Sequence, residues 1–358
     1  MKVGIIGLPS SGKSTLFQLL TGAAAPPPGG RAEARLGVAR VPDPRVDALA
    51  EMYRPKKKTP ATVEYVDVPG VAKGEGSALV DLPALRGVDA LVHVVRSFAS
   101  ETVAHPDGSV DPLRDAKMLE LELILADLGM VERRLERLDA NIKKANRPDD
   151  VAERAVFLKL KAALESEKPL RQVELGDDER KRLRSYSFLS EKPLVLVVNM
   201  GEDEVRDAAS TLARSGLAAF ASAPGMAVCP VSAPIEAEMA QLSADDARAF
   251  REDLHLEEPG LDRVIRSSYA LLGLISFLTA GEDECRAWTI RTGTRAQAAA
   301  GAIHSDIERG FIRAEVVAFA DLMAAGSLAA ARERATLRLE GKDYVVQDGD
   351  VINFRFNV

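Results

Sequence analysis

The sequence predicts an α/β chain: a doubly wound, mostly parallel sheet, interrupted by an inserted helical hairpin and followed by a small α+β module. Three observations predict it. Short apolar runs alternate with helical spacing in the first hundred residues and again beyond residue 190. The stretch 113–187 is almost free of strand signals and dense in Leu, Glu, Arg and Lys. Strand patterns return over 279–358 around one helical segment.

Taken in order, residues 2–6 are a short apolar run that ends in a glycine-rich turn, and helical spacing follows from Ser14 to Leu20. Residues 62–68 alternate and break at Pro69-Gly70. Residues 89–95 read as a buried strand, and 194–198 as an apolar run typical of a parallel strand covered on both faces. Residues 226–231 are the next candidate. In the insert, Leu119, Leu121, Leu125, Leu128, Val131, Leu135 and Leu138 recur at mostly three-to-four spacing. Asn146-Arg147-Pro148 breaks that helix, and a second runs from Asp150 to Ser166, which implies an antiparallel hairpin. Beyond it, 288–291, 313–319, 335–339 and 342–346 read as strands and 295–309 as a helix. Asp348-Gly349-Asp350 turns the chain into a terminal strand. The expected domains are 1–112 with 188–278, the insert 113–187, and 279–358. Pro26-Pro27-Pro28-Gly29-Gly30 reads as a low-complexity loop.

Composition agrees with such a chain. Its 358 residues allow about two to two and a half domains. With 46% hydrophobic and 28% charged residues it is ordinary globular material. The net charge of −7 argues against a protein that coats nucleic acid over its whole surface. That deficit lies outside the insert, because residues 113–190 hold 17 basic and 16 acidic side chains. Two cysteines, Cys229 and Cys285, cannot build a disulfide framework or a four-cysteine zinc site. No apolar stretch is long enough for a membrane helix. The expectation is a cytoplasmic monomer with no membrane contact.

Gly7-Leu8-Pro9-Ser10-Ser11-Gly12-Lys13-Ser14 fits G-x-x-x-x-G-K-[ST] between a predicted strand and a predicted helix. In that context the glycines let backbone N–H groups converge on phosphates, helped by the helix N-terminus. Lys13 would face the β- and γ-phosphates, Ser14 would offer its hydroxyl to Mg²⁺, and Thr15 would add a phosphate contact. Asp67-Val68-Pro69-Gly70 closes the alternating strand. An Asp there holds the Mg²⁺ shell through water, and Gly70 brings an N–H towards the γ-phosphate. Asn199-Met200-Gly201-Glu202 follows the most apolar strand, where GTPases carry N-K-x-D. Met200 replaces the Lys and Glu202 the Asp that accepts from guanine. That removes the main reason to prefer GTP. Asn199 can pair with the N6/N7 edge of adenine and Met200 can supply an apolar plane. Ser232-Ala233 reads as the following base loop.

These residues, with Val41-Pro-Asp-Pro-Arg45, Asp89…His93-Val-Val-Arg96, Glu308-Arg-Gly-Phe-Ile-Arg-Ala-Glu315 and the ending Phe354-Arg-Phe-Asn-Val358, resemble the YchF / Obg-like ATPase family along essentially the whole chain. The resemblance implies a P-loop NTPase G domain, a helical coiled-coil insert and a C-terminal TGS domain of β-grasp type. It also implies ATP hydrolysis in preference to GTP, Mg²⁺, and association with the ribosome, by way of the large subunit and of rRNA or tRNA. The family lacks the water-positioning glutamine of Ras-like enzymes, and Val71 follows Gly70 accordingly. His105 matches by place a family histidine in the loop after the Val-Val-Arg strand. It reads either as a group that orients water or as a plain solvated histidine.

Departures from the family accompany the resemblance. Ser10-Ser11 stands where the family has Asn-Val, whose Asn resembles a potassium ligand, and this counts against potassium activation. Residues 25–40 contain no Thr or Ser to close on Mg²⁺, which predicts slow basal turnover. Pro234 replaces a common Lys of the base loop. The run Lys56-Lys57-Lys58 and the hairpin residues Arg133, Arg134, Arg137, Lys143, Lys144 and Arg147 are the basic surfaces available to RNA phosphates, or else solvated faces. The rival readings are an Obg-class GTPase and a nucleotide-binding interaction module with vestigial hydrolysis.

Overall fold

The computed structural model describes residues 1–24, 34–68 and 82–357. Its strands are β1 (Lys2–Ile6), β2 (Arg35–Arg40), β3 (Lys57–Thr59), β4 (Thr62–Asp67), β5 (Ala90–Arg96), β6 (Leu194–Asn199), β7 (Met226–Val231), β8 (Leu274–Thr279), β9 (Glu284–Arg291), β10 (Phe311–Ala318), β11 (Arg338–Glu340) and β12 (Asp350–Phe356). The helices of the first half are α1 (Lys13–Thr21), α2 (Pro44–Tyr53), α3 (Leu82–Arg86), α4 (Pro112–Ala145), α5 (Pro148–Glu165) and α6 (Asp177–Leu183). They continue as α7 (Glu202–Arg206), α8 (Ala208–Arg214), α9 (Ala233–Met239), α10 (Ala244–Asp253) and α11 (Gly260–Leu271). The last are α12 (Ala296–Ile303), α13 (Ser305–Arg309), α14 (Phe319–Ala325) and α15 (Leu328–Glu333).

Contacts divide the chain into two units: 1–38 with 64–271, and 39–63 with 272–358. In the first unit the sheet runs β2-β4-β1-β5-β6-β7. β1 pairs parallel with both β4 and β5, so the order reverses around β1. The loop after β1 therefore opens at the topological switch point, where α/β sheets hold ligands. β5 and β6 are buried along their whole length, as their unbroken apolar runs require.

The insert is the expected hairpin. Asp111 caps α4 by accepting from Arg114 N at 3.0 Å, and Pro112 occupies the first turn, where its missing N–H costs nothing. Asn146, in the left-handed region at φ 38°, ends the helix, and Pro148 starts α5. The buried stripe of α4 holds Leu119, Leu123, Ile124, Asp127, Val131, Leu135 and Leu138. Leu121 and Leu125, read into that stripe from their spacing, are instead exposed. Asp127 is fully buried and accepts from Leu189 N, Ser190 N and Ser190 Oγ at 2.7–3.0 Å. It ties the hairpin to the segment that re-enters the sheet at β6.

The second unit carries a mixed sheet in the order β11-β10-β12-β8-β9-β3. Its core joins Phe277, Ile290, Val316, Ile352 and Phe354 to the alanine face of α12. Residues 39–63, counted with the nucleotide-binding half in the expected partition, pack here. The reason is pairing and charge. β3 runs parallel to β9, and Arg45 of α2 meets Asp348 at 2.7 Å while its other nitrogens hold Asp43. The expected strand 342–346 is a turn with one isolated bridge, Val345 to Arg295, and of the expected 335–339 only 338 and 339 pair, in a strand that runs on to 340. The expected helix 295–309 breaks at His304, whose extended backbone (φ −162°) and ring Nδ1, accepting from Asp306 N, start α13.

Lys56, Lys57 and Lys58 lie at or in β3, an edge strand. They meet Asp283, Glu284 and Asp47 at 2.8, 3.4 and 2.5 Å. The run is a charge-balanced edge, and edge lysines discourage further strand pairing. Cys229 and Cys285 are both buried free thiols. Among the described residues no helix is long and apolar enough to cross a membrane.

Candidate nucleotide site

The site grows from the β1–α1 turn. Gly7 (φ 156°) passes so close to β5 that a Cβ would sit 2.5 Å from the Val94 carbonyl oxygen. Gly12 (φ 95°) leaves no room either, since its Cβ would lie 2.3 Å from Asn199 Nδ2. Ser10 also holds a positive φ, 61°, uncommon for a residue with a side chain. Gly12 has no side chain to cap α1, so the first-turn N–H groups remain open to an anion. Pro9 has no N–H, so of Leu8, Pro9, Ser10, Ser11 and Gly12 it contributes shape alone. Ser14 is half-buried and Thr15 exposed on the first turn.

Lys13 follows Gly12. Burial lowers the pKa of its ammonium, and the Asp67 carboxylate opposes that shift. Asp67 ends β4 and is buried; one oxygen accepts from Arg35 Nη2 at 2.8 Å, and the other, Oδ1, has no hydrogen-bond partner among the described residues. An orphaned buried carboxylate oxygen costs free energy unless a ligand or water meets it. Together with the Ser14 hydroxyl it fits a divalent cation held by one hydroxyl and, through water, by one carboxylate. Gly70 and Val71 lie outside the described residues.

Asn199 ends β6 with its side chain buried. Nδ2 donates to the Ser11 carbonyl at 3.0 Å, and Oδ1 accepts from Ala233 N at 3.2 Å. One amide thus ties the phosphate loop to Ser232-Ala233, and only its second N–H is left for a base. Met200 is 0% exposed and packs in the core, so its side chain offers no plane to a base; the expectation for it fails because Met200, the first residue after β6, faces inward. Glu202 is exposed at the start of α7. Ser232 and Ala233 open α9, and the hydroxyls of Ser11 and Ser232 are both buried without partners among the described residues.

His105 is not a free loop histidine. Its side chain is 5% exposed. Nδ1 accepts from Asp107 N at 3.1 Å, so Nε2 carries the proton and donates to Asp115 at 2.9 Å. Arg114 grips the same carboxylate. In this arrangement both ring nitrogens are spent, and orienting water would require His105 to leave Asp115.

Two contributors carried no sequence signal, and a third, Arg96, entered only as the end of the Val-Val-Arg strand. Arg35 pairs with Asp67. Glu204 accepts from Gly201 N and Ser97 Oγ at 2.9 and 3.2 Å, ordering the turn after β6. Arg96 stacks over Phe98 and donates to the carbonyls of Phe98 and Val103, shaping the loop that carries His105. Each depends on partners the local pattern does not announce.

Comparison with known proteins follows the same lines. A family model described as 50S ribosome-binding GTPase matches residues 2–127. The model named YchF-GTPase_C, described as a protein of unknown function, matches 274–357. The Bacillus subtilis protein named ribosome-binding ATPase YchF is 45% identical over 100% of both chains. Obg-like ATPase 1 of Oryza sativa subsp. japonica is 36% identical over 100% of this chain and 92% of its own. The solved Schizosaccharomyces pombe YchF GTPase superposes with a TM-score of 0.87 at 31% identity, covering 99% of this chain and 97% of that one. Identity of this order across the full length, on top of a P-loop built at the switch point of a parallel sheet, places the chain in the YchF / Obg-like ATPase family.

Proposed function

We propose that this protein is a ribosome-binding ATPase that hydrolyses ATP to ADP and phosphate and uses the bound nucleotide as a switch. The observation that carries the reading is the Asn199 strut between phosphate loop and base loop, with Glu202 in place of a guanine-reading aspartate. Phosphates would rest on the N–H groups of the β1–α1 turn and on Lys13. Those fixed donors stabilise charge on the transferring group without reorganising. Ser14, and Asp67 through water, would hold Mg²⁺, which would supply neutralisation of the phosphate charge. Gly70 would add an N–H at the γ-phosphate, and His105, once released from Asp115, would orient water. Ser10-Ser11 offers no amide side chain to potassium, and turnover would be potassium-independent and slow. The relatives' names support the ribosome as partner; the contact would be with the large subunit and with rRNA or tRNA, and the chain would act as a cytoplasmic monomer.

Calorimetry with ATP and GTP in Mg²⁺ tests the base preference. Tighter ATP binding is expected, and tighter GTP binding would turn the reading to an Obg-class GTPase. Lys13→Ala should abolish nucleotide binding. Wild-type protein that binds large subunits but shows no turnover would leave only an interaction module.

A further inference from the structure

Arg35 opens β2, and its guanidinium is held on three sides within the first unit. Nη2 donates to Asp67 Oδ2 at 2.8 Å, Nη1 donates to the Ala24 carbonyl at 3.2 Å, and the group lies 4.9 Å from the centre of the Phe17 ring. The two charged side chains are only 24% and 9% exposed, so water screens them little. Nothing in the phosphate chemistry described above needs a cation at this point. Asp67 is the carboxylate read as facing the magnesium shell, and Arg35 takes one of its two oxygens.

We propose that Arg35 is a built-in counter-ion of Asp67: a positioning residue that holds the carboxylate before nucleotide arrives and keeps the empty site from taking a free divalent cation. This rests on the reading of Asp67 as the magnesium-side carboxylate. The electrostatics are simple. With Lys13, Arg35 and Asp67 together the empty site has a net positive charge, which repels a divalent ion. Without Arg35 the charges of the described residues there, Lys13 and Asp67, cancel. A nucleotide polyphosphate reverses the sign, so the metal would enter with the nucleotide and its water would meet the free Oδ1 of Asp67 while Arg35 keeps Oδ2. A buried carboxylate needs its oxygens held, so Arg35 also fixes Asp67 in place between nucleotides through the Nη2–Oδ2 bond.

The test measures binding, not turnover. Mn²⁺ bound to the nucleotide-free protein is counted by electron paramagnetic resonance. Binding of a fluorescent ADP analogue is then followed against Mg²⁺ concentration. Wild type, Arg35→Gln, Arg35→Lys and Asp67→Asn are compared, each checked by its melting curve. Arg35→Gln should gain Mn²⁺ binding without nucleotide and lower the Mg²⁺ midpoint at least threefold. Arg35→Lys, which keeps the charge, should stay near wild type, and Asp67→Asn should raise the midpoint. An unchanged Arg35→Gln beside a shifted Asp67→Asn overturns the counter-ion role and leaves Asp67 as the magnesium-side residue. Arg35→Lys behaving like Arg35→Gln also overturns it, since charge would not be the cause. An unshifted Asp67→Asn sinks the reading of Asp67 itself.

Discussion

Asn199 and Gly12 work as one joint. The space a Cβ would need at Gly12 is filled by the Asn199 amide, and that amide also reaches the base loop. Gly12→Ala should therefore displace Asn199 as well as strain the turn. The expected outcome is loss of both nucleotide affinity and several degrees of melting temperature, read by calorimetry and thermal melts. Asn199→Ala should cost about 1–3 kcal/mol, the penalty for buried polar groups left unpaired. Two buried titratable groups set opposite pH responses. Burial pushes the Glu236 carboxyl from 4.5 up to about 7, although it accepts from Gly260 N. Folding thus favours its protonated form, a contribution complete below 4.5 and lost as pH rises through 7. Burial lowers the His93 imidazole from 6.5 to about 3, with Arg171 adding to the shift. Its contribution is complete above 6.5 and lost as pH falls towards 3. Measured against wild type, Glu236→Gln should gain stability between pH 5 and 8, and His93→Phe should gain as pH drops from 7 to 4.5. The P-loop was legible because its eight residues are contiguous. The Asn199 strut was not, since its partners lie 188 and 34 positions away.

At the level of elements, the hairpin shows what spacing can and cannot say. The break at Asn146 and Pro148 is a local steric rule and was readable. Leu121 and Leu125 were misassigned because a 34-residue helix meets different neighbours along its length, and leucine content alone does not say which face they cover. One polar cluster fixes the pairing of its two arms. Arg134 donates Nε and Nη2 to Glu153 at 2.9 and 2.8 Å, and Tyr186 O–H donates to the same carboxylate at 2.5 Å. Tyr186 packs edge-on to Phe157 and stacks on Phe188. Glu153→Ala should destabilise the hairpin by about 1–3 kcal/mol, because it leaves a charge and a hydroxyl unpaired. Hydrogen exchange should rise in α4 and α5 while β1 and β5 stay protected; uniform deprotection would mean the insert does not open separately. In the second unit the 342–346 strand failed for a related reason. Strand-favouring Tyr344, Val345 and Val346 were present, but Tyr344 uses its backbone N–H in a turn to Gly341, and among the described residues no neighbouring strand reaches it.

Over the whole molecule, the chain crosses between its two units three times, after residues 38, 63 and 271. Composition hinted at two-odd domains but could not show that 39–63 belongs with the last hundred residues; only long-range pairing decides that. Val46 and Leu49 of α2 are 2% and 0% exposed in the full chain. A fragment of residues 1–271 should leave them and β3 without β9, bind hydrophobic dyes and aggregate, whereas the full chain at equal concentration should not. A fragment as soluble and dye-silent as the full chain would show that α2 finds other cover. The clasp between Arg45 and Asp348 joins positions 303 apart. At roughly 5–20 residues per second of synthesis, Arg45 waits on the order of 15–60 s for its partner. For most of that interval, until β9 is made, α2 and β3 lack the strand they pack against. The nascent chain therefore needs shelter long after its nucleotide-binding strands can close, and pauses in the last third of its message would lengthen that exposure.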